Sequence, residues 1–239
     1  MAAAAALAVS PDALPARVWL PGGREVVLGW CEVGPEDDAS LSPIERQGLA
    51  RCRTDKRRRE FVAGRLAAHR ALELLAPGTR AEVTARADGQ DAGRPLLEPT
   101  HGLALSLTHS TGLAVAALAR GAPLGVDLER TVEVSEAFLE EAFCPGEREG
   151  YEPLCAGRMD TTTATWAMKE AVLKVWGVGL RAPLLRVAVR PALLAERGGL
   201  LSLRLTVETE ALPPHLGAPP TLLDAVLLAW EDRVLALAG

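Results

Sequence analysis

Gly125-Val126-Asp127-Leu128-Glu129 closes a short apolar segment that opens after Gly121-Ala122-Pro123, so it reads as a strand over residues 124–128. Side chains alternate across a strand, and Asp127 and Glu129 therefore leave one face while Val126 and Leu128 leave the other. Further on comes Trp166-Ala167-Met168-Lys169-Glu170-Ala171-Val172-Leu173-Lys174, inside a helix expected over residues 162–175. Glu170 would complete a site of three carboxylates, the all-oxygen surrounding that hard divalent cations such as Mg²⁺ prefer and through which they hold phosphates. Each part also has an ordinary reading. Acids at a strand end are commonly just solvated, and Glu170 with Lys174 could form an i,i+4 pair of about 0.2–0.5 kcal/mol.

Outward from this strand the chain divides. Before it, strands are expected over 16–20 and 25–30, and Ser42-Pro43-Ile44-Glu45 combines a capping serine, a proline at the first helical position and a capping-box glutamate. Helix follows to residue 75, with a break, until Pro77-Gly78. A strand over 81–85 leads into the turn-rich Asp88-Gly89-Gln90-Asp91-Ala92-Gly93-Arg94-Pro95, and strands over 103–107 and 113–119 are joined by Thr108-His109-Ser110-Thr111-Gly112. After it come a helix near 135–141, a Phe143-Cys144-Pro145-Gly146-Glu147 turn, the long helix, strands over 185–189 and 200–208, and a proline-rich loop at 213–220. The apolar segment 222–237 fits either a strand pair or a helix. A change of unit near residues 119–124 divides the chain into two α+β halves, 1–120 and 121–239; the residues alone do not demonstrate an internal repeat.

The 239 residues are 49% apolar, enough for a real core. With 31 acidic and 26 basic residues the net charge is -5, which argues against a general nucleic-acid coat. Cys31, Cys52, Cys144 and Cys155 show neither paired CxxC spacing nor histidines in metal-site order, so a reduced, cytoplasmic protein is expected. The apolar residues 1–9 lack a basic leader and are too short to span a bilayer, and no membrane association is expected.

Arg51, Arg53, Lys56, Arg57, Arg58 and Arg59 form a cationic block, read either as a solvated helix face or as a receiver for an anionic ligand or acidic partner. On the following helix Phe61, Ala68, Leu72 and Leu75 define an inward face, and Arg58 and Arg65 fall on that same side. That placement is costly unless each arginine snorkels or finds a partner. An internal ion pair and an anion-binding cleft both satisfy it.

Five ordered blocks resemble the Sfp-type 4'-phosphopantetheinyl transferases: Gly93-Arg94-Pro95-Leu96, Leu105-Ser106-Leu107-Thr108-His109-Ser110, Gly125-Val126-Asp127-Leu128-Glu129-Arg130, Phe143-Cys144-Pro145-Gly146-Glu147 and Trp166-Ala167-Met168-Lys169-Glu170-Ala171. The last is similar to the W/KEA variant, and the resemblance spans about residues 55–190. It implies a monomer of two similar α+β halves about a pseudo-twofold axis, each a small antiparallel-rich sheet packed with a long helix, with coenzyme A in the cleft between them. It further implies Asp127, Glu129 and Glu170 as Mg²⁺ ligands, with Mn²⁺ as an alternative. Lys169 and Lys174 would work on the phosphates or reaction centre, and Arg58, Arg65, Arg94, His109 and Ser110 would bind the nucleotide and its 3'-phosphate. The acceptor would be an apo acyl or peptidyl carrier protein, the two-half chain resembling the broad-specificity, secondary-metabolism group of these enzymes, and Glu170 or a metal-held water would take the serine proton. Thr108, where an apolar residue is frequent, is a departure expected to bear on packing or carrier choice.

Overall fold

Leu113-Ala114-Val115-Ala116-Ala117-Leu118-Ala119 is apolar without alternation, a pattern that a strand shows only when both of its faces are covered. The computed structural model describes residues 14–35, 38–86, 93–209 and 220–239, and it explains that pattern. The apolar residues 1–9, the turn residues 88–92 and the proline-rich residues 213–219 lie outside the described residues.

In chain order the first half comprises β1 (Arg17–Trp19), β2 (Glu25–Glu32), α1 (Pro43–Leu49), α2 (Asp55–Leu75), β3 (Glu82–Ala85), β4 (Pro95–Glu98), β5 (Leu103–Ser110) and β6 (Leu113–Arg120). The second comprises β7 (Gly125–Arg130), α3 (Glu136–Ala142), α4 (Glu152–Cys155), α5 (Thr161–Trp176), β8 (Val187–Arg197), β9 (Leu200–Thr209), β10 (Leu222–Trp230) and β11 (Arg233–Ala238). Two antiparallel sheets, ordered β1-β2-β6-β5 and β7-β11-β10-β9-β8, lie face to face, and β3 and β4 form a separate ribbon. Val26, Leu28, Val115 and Ala117 of the first sheet meet Val126, Leu128, Leu235 and Leu237 of the second in the middle layer. The opposite faces are covered by the long helices. Val27, Ala114, Ala116 and Leu118 pack under α2, while Ala225, Leu227, Val234 and Ala236 pack under α5.

The halves repeat each other. In each, a strand glycine lets a helix backbone approach: a Cβ on Gly29 would lie 2.2 Å from the Ala67 carbonyl oxygen of α2, and one on Gly125 would lie 1.9 Å from that of Ala171 on α5. In each, an x-Pro-x-Glu turn presents a buried glutamate to the helix and to a later strand. Glu45 accepts from Ser42 N (3.0 Å), Val83 N (2.8 Å) and His69 Nε2 (2.8 Å). Glu147 accepts from Cys144 N (2.9 Å), Val189 N (2.9 Å) and Lys169 Nζ (2.8 Å). Ser42-Pro43-Ile44-Glu45 and Cys144-Pro145-Gly146-Glu147 are thus equivalent, the repeat that the bare sequence conceals.

Several expectations are revised. The break in the first helix separates α1 from α2, with Thr54 capping the latter. Thr108, His109 and Ser110 belong to β5; the reversal is made by Thr111 and Gly112 alone, both at positive φ as a two-residue hairpin turn requires. Pro95, the last residue of the expected turn, opens β4, which pairs with β3. Residues 184–186 form a 3₁₀ turn, after which β8 runs on to Arg197 beside β9. Segment 222–237 is the hairpin β10–β11. No helix among the described residues is long and apolar enough to cross a membrane.

Candidate active site at the seam between the halves

The alternation of β7 sets the site. Val126 and Leu128 enter the middle layer, so Asp127 and Glu129 face α5, where Trp166, Glu170 and Lys174 follow one another at four-residue spacing on one helix face. Asp160 caps the start of α5 by accepting from Thr163 N at 2.7 Å, and Gly177, at φ 74°, ends it. Lys174 does not pair with Glu170 as an isolated helix would suggest. Its Nζ donates to Asp127 Oδ1 at 2.7 Å and to the Val126 carbonyl at 2.9 Å.

Asp127 is only 4% exposed. Its Oδ1 also receives the Thr108 hydroxyl at 2.9 Å, whereas its Oδ2 is shielded from solvent with no hydrogen-bond partner. Burial and the Asp127 charge push the Glu129 carboxyl up to about 7, against the opposing influence of Lys174 and of a hydrogen bond from Trp166. The same two causes push Glu170 up to about 7. Three carboxyl groups thus share one semi-buried region with a single lysine to offset them, an arrangement that an added cation would relieve. Trp166 also closes an edge-to-face trio with Phe138 and Phe143, at 5.2 and 6.2 Å between ring centroids, which dries that side of the site.

On the first half, a cleft of about 630 Å³ is lined by Arg51, Arg53, Thr54, Arg57, Glu60, Phe61, Arg65, Thr108 and His109, among others. Arg65 lies over the Phe61 ring at 3.5 Å, its Nε is buried without a partner, and burial pushes its pKa down to about 10. It remains charged at neutral pH, and an anion in the cleft would restore what burial costs it. His109 Nε2 lies 2.9 Å from Arg57 Nη1; a guanidinium only donates, so this ring nitrogen accepts. Burial lowers the His109 pKa, with Arg57 and Lys174 adding to the effect and Glu60 opposing it. A neighbouring cavity of about 300 Å³ is lined by Arg94, Ser106, Lys174, Gly177 and Arg181, with Pro95 and Leu107 shared between the two.

Asp127, Glu129, Glu170 and Lys174 are therefore brought together, and Arg65, His109 and Arg94 line the adjoining cavities. Ser110 ends β5 in a smaller recess beside His109, Lys56 and Arg59. Arg58 and Lys169 are placed differently. Arg58 lies past the edge of the helical arc that faces the cleft; it donates to the Leu49 carbonyl at the end of α1 (3.5 Å), and Arg57 takes the place beside His109. Lys169 is fully buried, bonded to Glu147 and to the Ala142 carbonyl (2.7 Å), so it stands where His69 stands in the first half. Thr108, expected to bear on packing or carrier choice, bonds directly to Asp127. The signal that could have found it is β5 itself: once residue 108 lies on that strand, alternation aims Ser106 and Thr108 at one neighbour.

Comparison with known proteins places both halves. The profile of the 4'-phosphopantetheinyl transferase N-terminal domain matches residues 45–119, and that of the 4'-phosphopantetheinyl transferase superfamily matches residues 123–207. A holo-[acyl-carrier-protein] synthase of Roseiflexus sp. (strain RS-1) is 37% identical over 78 residues, 32% of this chain. The chain spans about half the length of that relative, 49%. With both halves matched in order by profiles of one superfamily, the chain belongs to the 4'-phosphopantetheinyl transferase superfamily.

Proposed function

We propose that this chain transfers the 4'-phosphopantetheine group of coenzyme A to a serine of an apo acyl or peptidyl carrier protein, releasing adenosine 3',5'-bisphosphate in a Mg²⁺-dependent reaction. The observation that carries the proposal is the juxtaposition, across β5 and β7, of an arginine-lined cleft with two buried acids, Asp127 and Glu170, and the half-buried Glu129. The cleft's volume suits a nucleotide, and Arg57, Arg65 and His109 would hold its phosphates by charge-assisted hydrogen bonds. The W/KEA-like pattern at Trp166, Lys169 and Glu170 supports the Sfp-type branch of the superfamily.

The acids fit a hard cation chemically: all donors are oxygen, and Asp127 Oδ2 is buried without a partner. Among the described residues no three His, Cys, Asp or Glu side chains already form a ligating group, so Glu129 and Glu170 would turn toward Asp127 to gather an ion. Mg²⁺ suits this set, as does Mn²⁺; when bound, it supplies charge neutralisation at the diphosphate. The carrier serine oxygen then bonds to the β-phosphorus as the bridging P–O bond breaks, and the adenosine bisphosphate leaves with that electron pair. Glu170 would accept the serine proton, and Lys174 would add positive charge beside Asp127. Arg94, at the second cavity, would meet the phosphopantetheine side of the substrate.

The acidic helix of a carrier would meet the exposed Arg51, Arg53 and Lys56. One chain supplies both walls of the cleft, which supports a monomer, and four free cysteines support a reducing, cytoplasmic setting. The test is intact-mass measurement after incubating the protein with coenzyme A, Mg²⁺ and a panel of apo carriers. A gain of about 340 Da at one serine is expected, the mass of the transferred group; no gain on any carrier would refute the proposal.

A further inference from the structure

Thr108 belongs to β5 of the first half, yet its hydroxyl serves the second. Thr108 Oγ1 accepts from Leu128 N at 3.3 Å, and two residues earlier Ser106 Oγ accepts from Val126 N at 3.0 Å. Two hydroxyls thus replace backbone carbonyls along the seam between β5 and β7. Ser106 does no more than this on β7. Thr108, buried like Ser106, has a single hydroxyl proton, and with its oxygen occupied by Leu128 N that proton is directed to Asp127 Oδ1 at 2.9 Å.

A carboxylate turns easily about its last torsion, so either oxygen of Asp127 could in principle face a ligand. Here Lys174 Nζ and the Thr108 hydroxyl both bind Oδ1, one from each half, and Oδ2 is the oxygen left buried without a partner. We infer that Thr108 is a positioning residue: it pins the Asp127 carboxylate so that Oδ2 is the oxygen offered to a divalent cation. The inference rests on the divalent-cation part of the proposed function and adds that the first half helps to build the cation site of the second. Outer-shell bonds of this kind orient ligating carboxylates, and their loss weakens metal binding markedly.

The test uses the full chain and Mn²⁺ alone, with no coenzyme A or carrier, and reads the dissociation constant by electron paramagnetic resonance of the free ion and by calorimetry. Thr108→Val keeps the shape and removes the hydroxyl; it should weaken Mn²⁺ binding by about tenfold or more. Thr108→Ser restores the hydroxyl and should stay within about twofold of the unaltered protein. A purely structural role would instead lower the melting temperature without separating these two variants in Mn²⁺ affinity. Should Thr108→Val misfold, Thr108→Cys keeps the bulk with a far weaker donor and should show the same loss. A folded Thr108→Val or Thr108→Cys protein that binds Mn²⁺ as tightly as the unaltered chain overturns the inference while leaving the cation reading intact. An unaltered chain that binds no Mn²⁺ overturns both.

Discussion

Lys169→Met separates a lysine that holds the fold from one that handles phosphate. Lys169 and Glu147 are both 0% exposed at their side chains and meet at 2.8 Å, with Glu147 also receiving Cys144 N and Val189 N. Methionine matches the length of the lysine stem, so the change removes charge and donor while leaving little cavity. It strands a buried carboxylate and takes the Nζ donor from the Ala142 carbonyl. Removing one partner of a buried ion pair costs about 3–5 kcal/mol. For a chain of this size that corresponds to a fall in melting temperature of about 6–20 °C, at roughly 2–4 °C per kcal/mol. The assay is thermal and urea unfolding with coenzyme A and metal absent, so that no ligand contact enters. Combining Lys169→Met with Glu147→Gln, which removes the stranded charge but retains an acceptor for the backbone donors, should recover most of the loss. A Lys169→Met protein with unchanged stability and abolished turnover would refute this reasoning and return the lysine to the phosphates.

Asp127→Asn keeps an oxygen for Thr108 and Lys174 but loses the negative charge; carrier modification, followed by intact mass, should fall by about a hundredfold or more with a small change in melting temperature. Arg65→Met should raise the KM for coenzyme A by about 10- to 100-fold, from a charge-assisted contact of about 1.5–3 kcal/mol, with kcat changing less and the fold retained; initial-rate kinetics decide it. Glu129 and Glu170 are pushed up from 4.5 to about 7, so the folded chain holds more protons than the unfolded one between those values. Stability in chelator should therefore fall as pH rises from about 4.5 to 7, by about 1–2 kcal/mol once solvent screening is allowed for. Glu129→Gln should flatten that slope, and melting curves across the pH range would expose its absence.

Much of this was legible in the residues. The capping box at Ser42 and Glu45, the period of α5 and the alternation of β7 are local signals, and each sets where its own side chains point. The β10–β11 hairpin was not, because residues 225–228 and 234–238 are buried without a break and lose the alternation that marks a half-exposed strand. The equivalence of His69 and Lys169 was hidden as well, because nothing in their chemistry is shared except the buried glutamate that each one satisfies.

The capped helices, the alternating strands and the division into two halves are properties of the sequence, since periodicity and capping act over a few residues. Which oxygen of Asp127 is left open, which arginine enters the cleft and which lysine is walled away are decided only when β5 meets β7 and α5 settles on Gly125. Those outcomes depend on hydrogen-bond partners and buried neighbours drawn from distant parts of the chain, and no local pattern of residues encodes them.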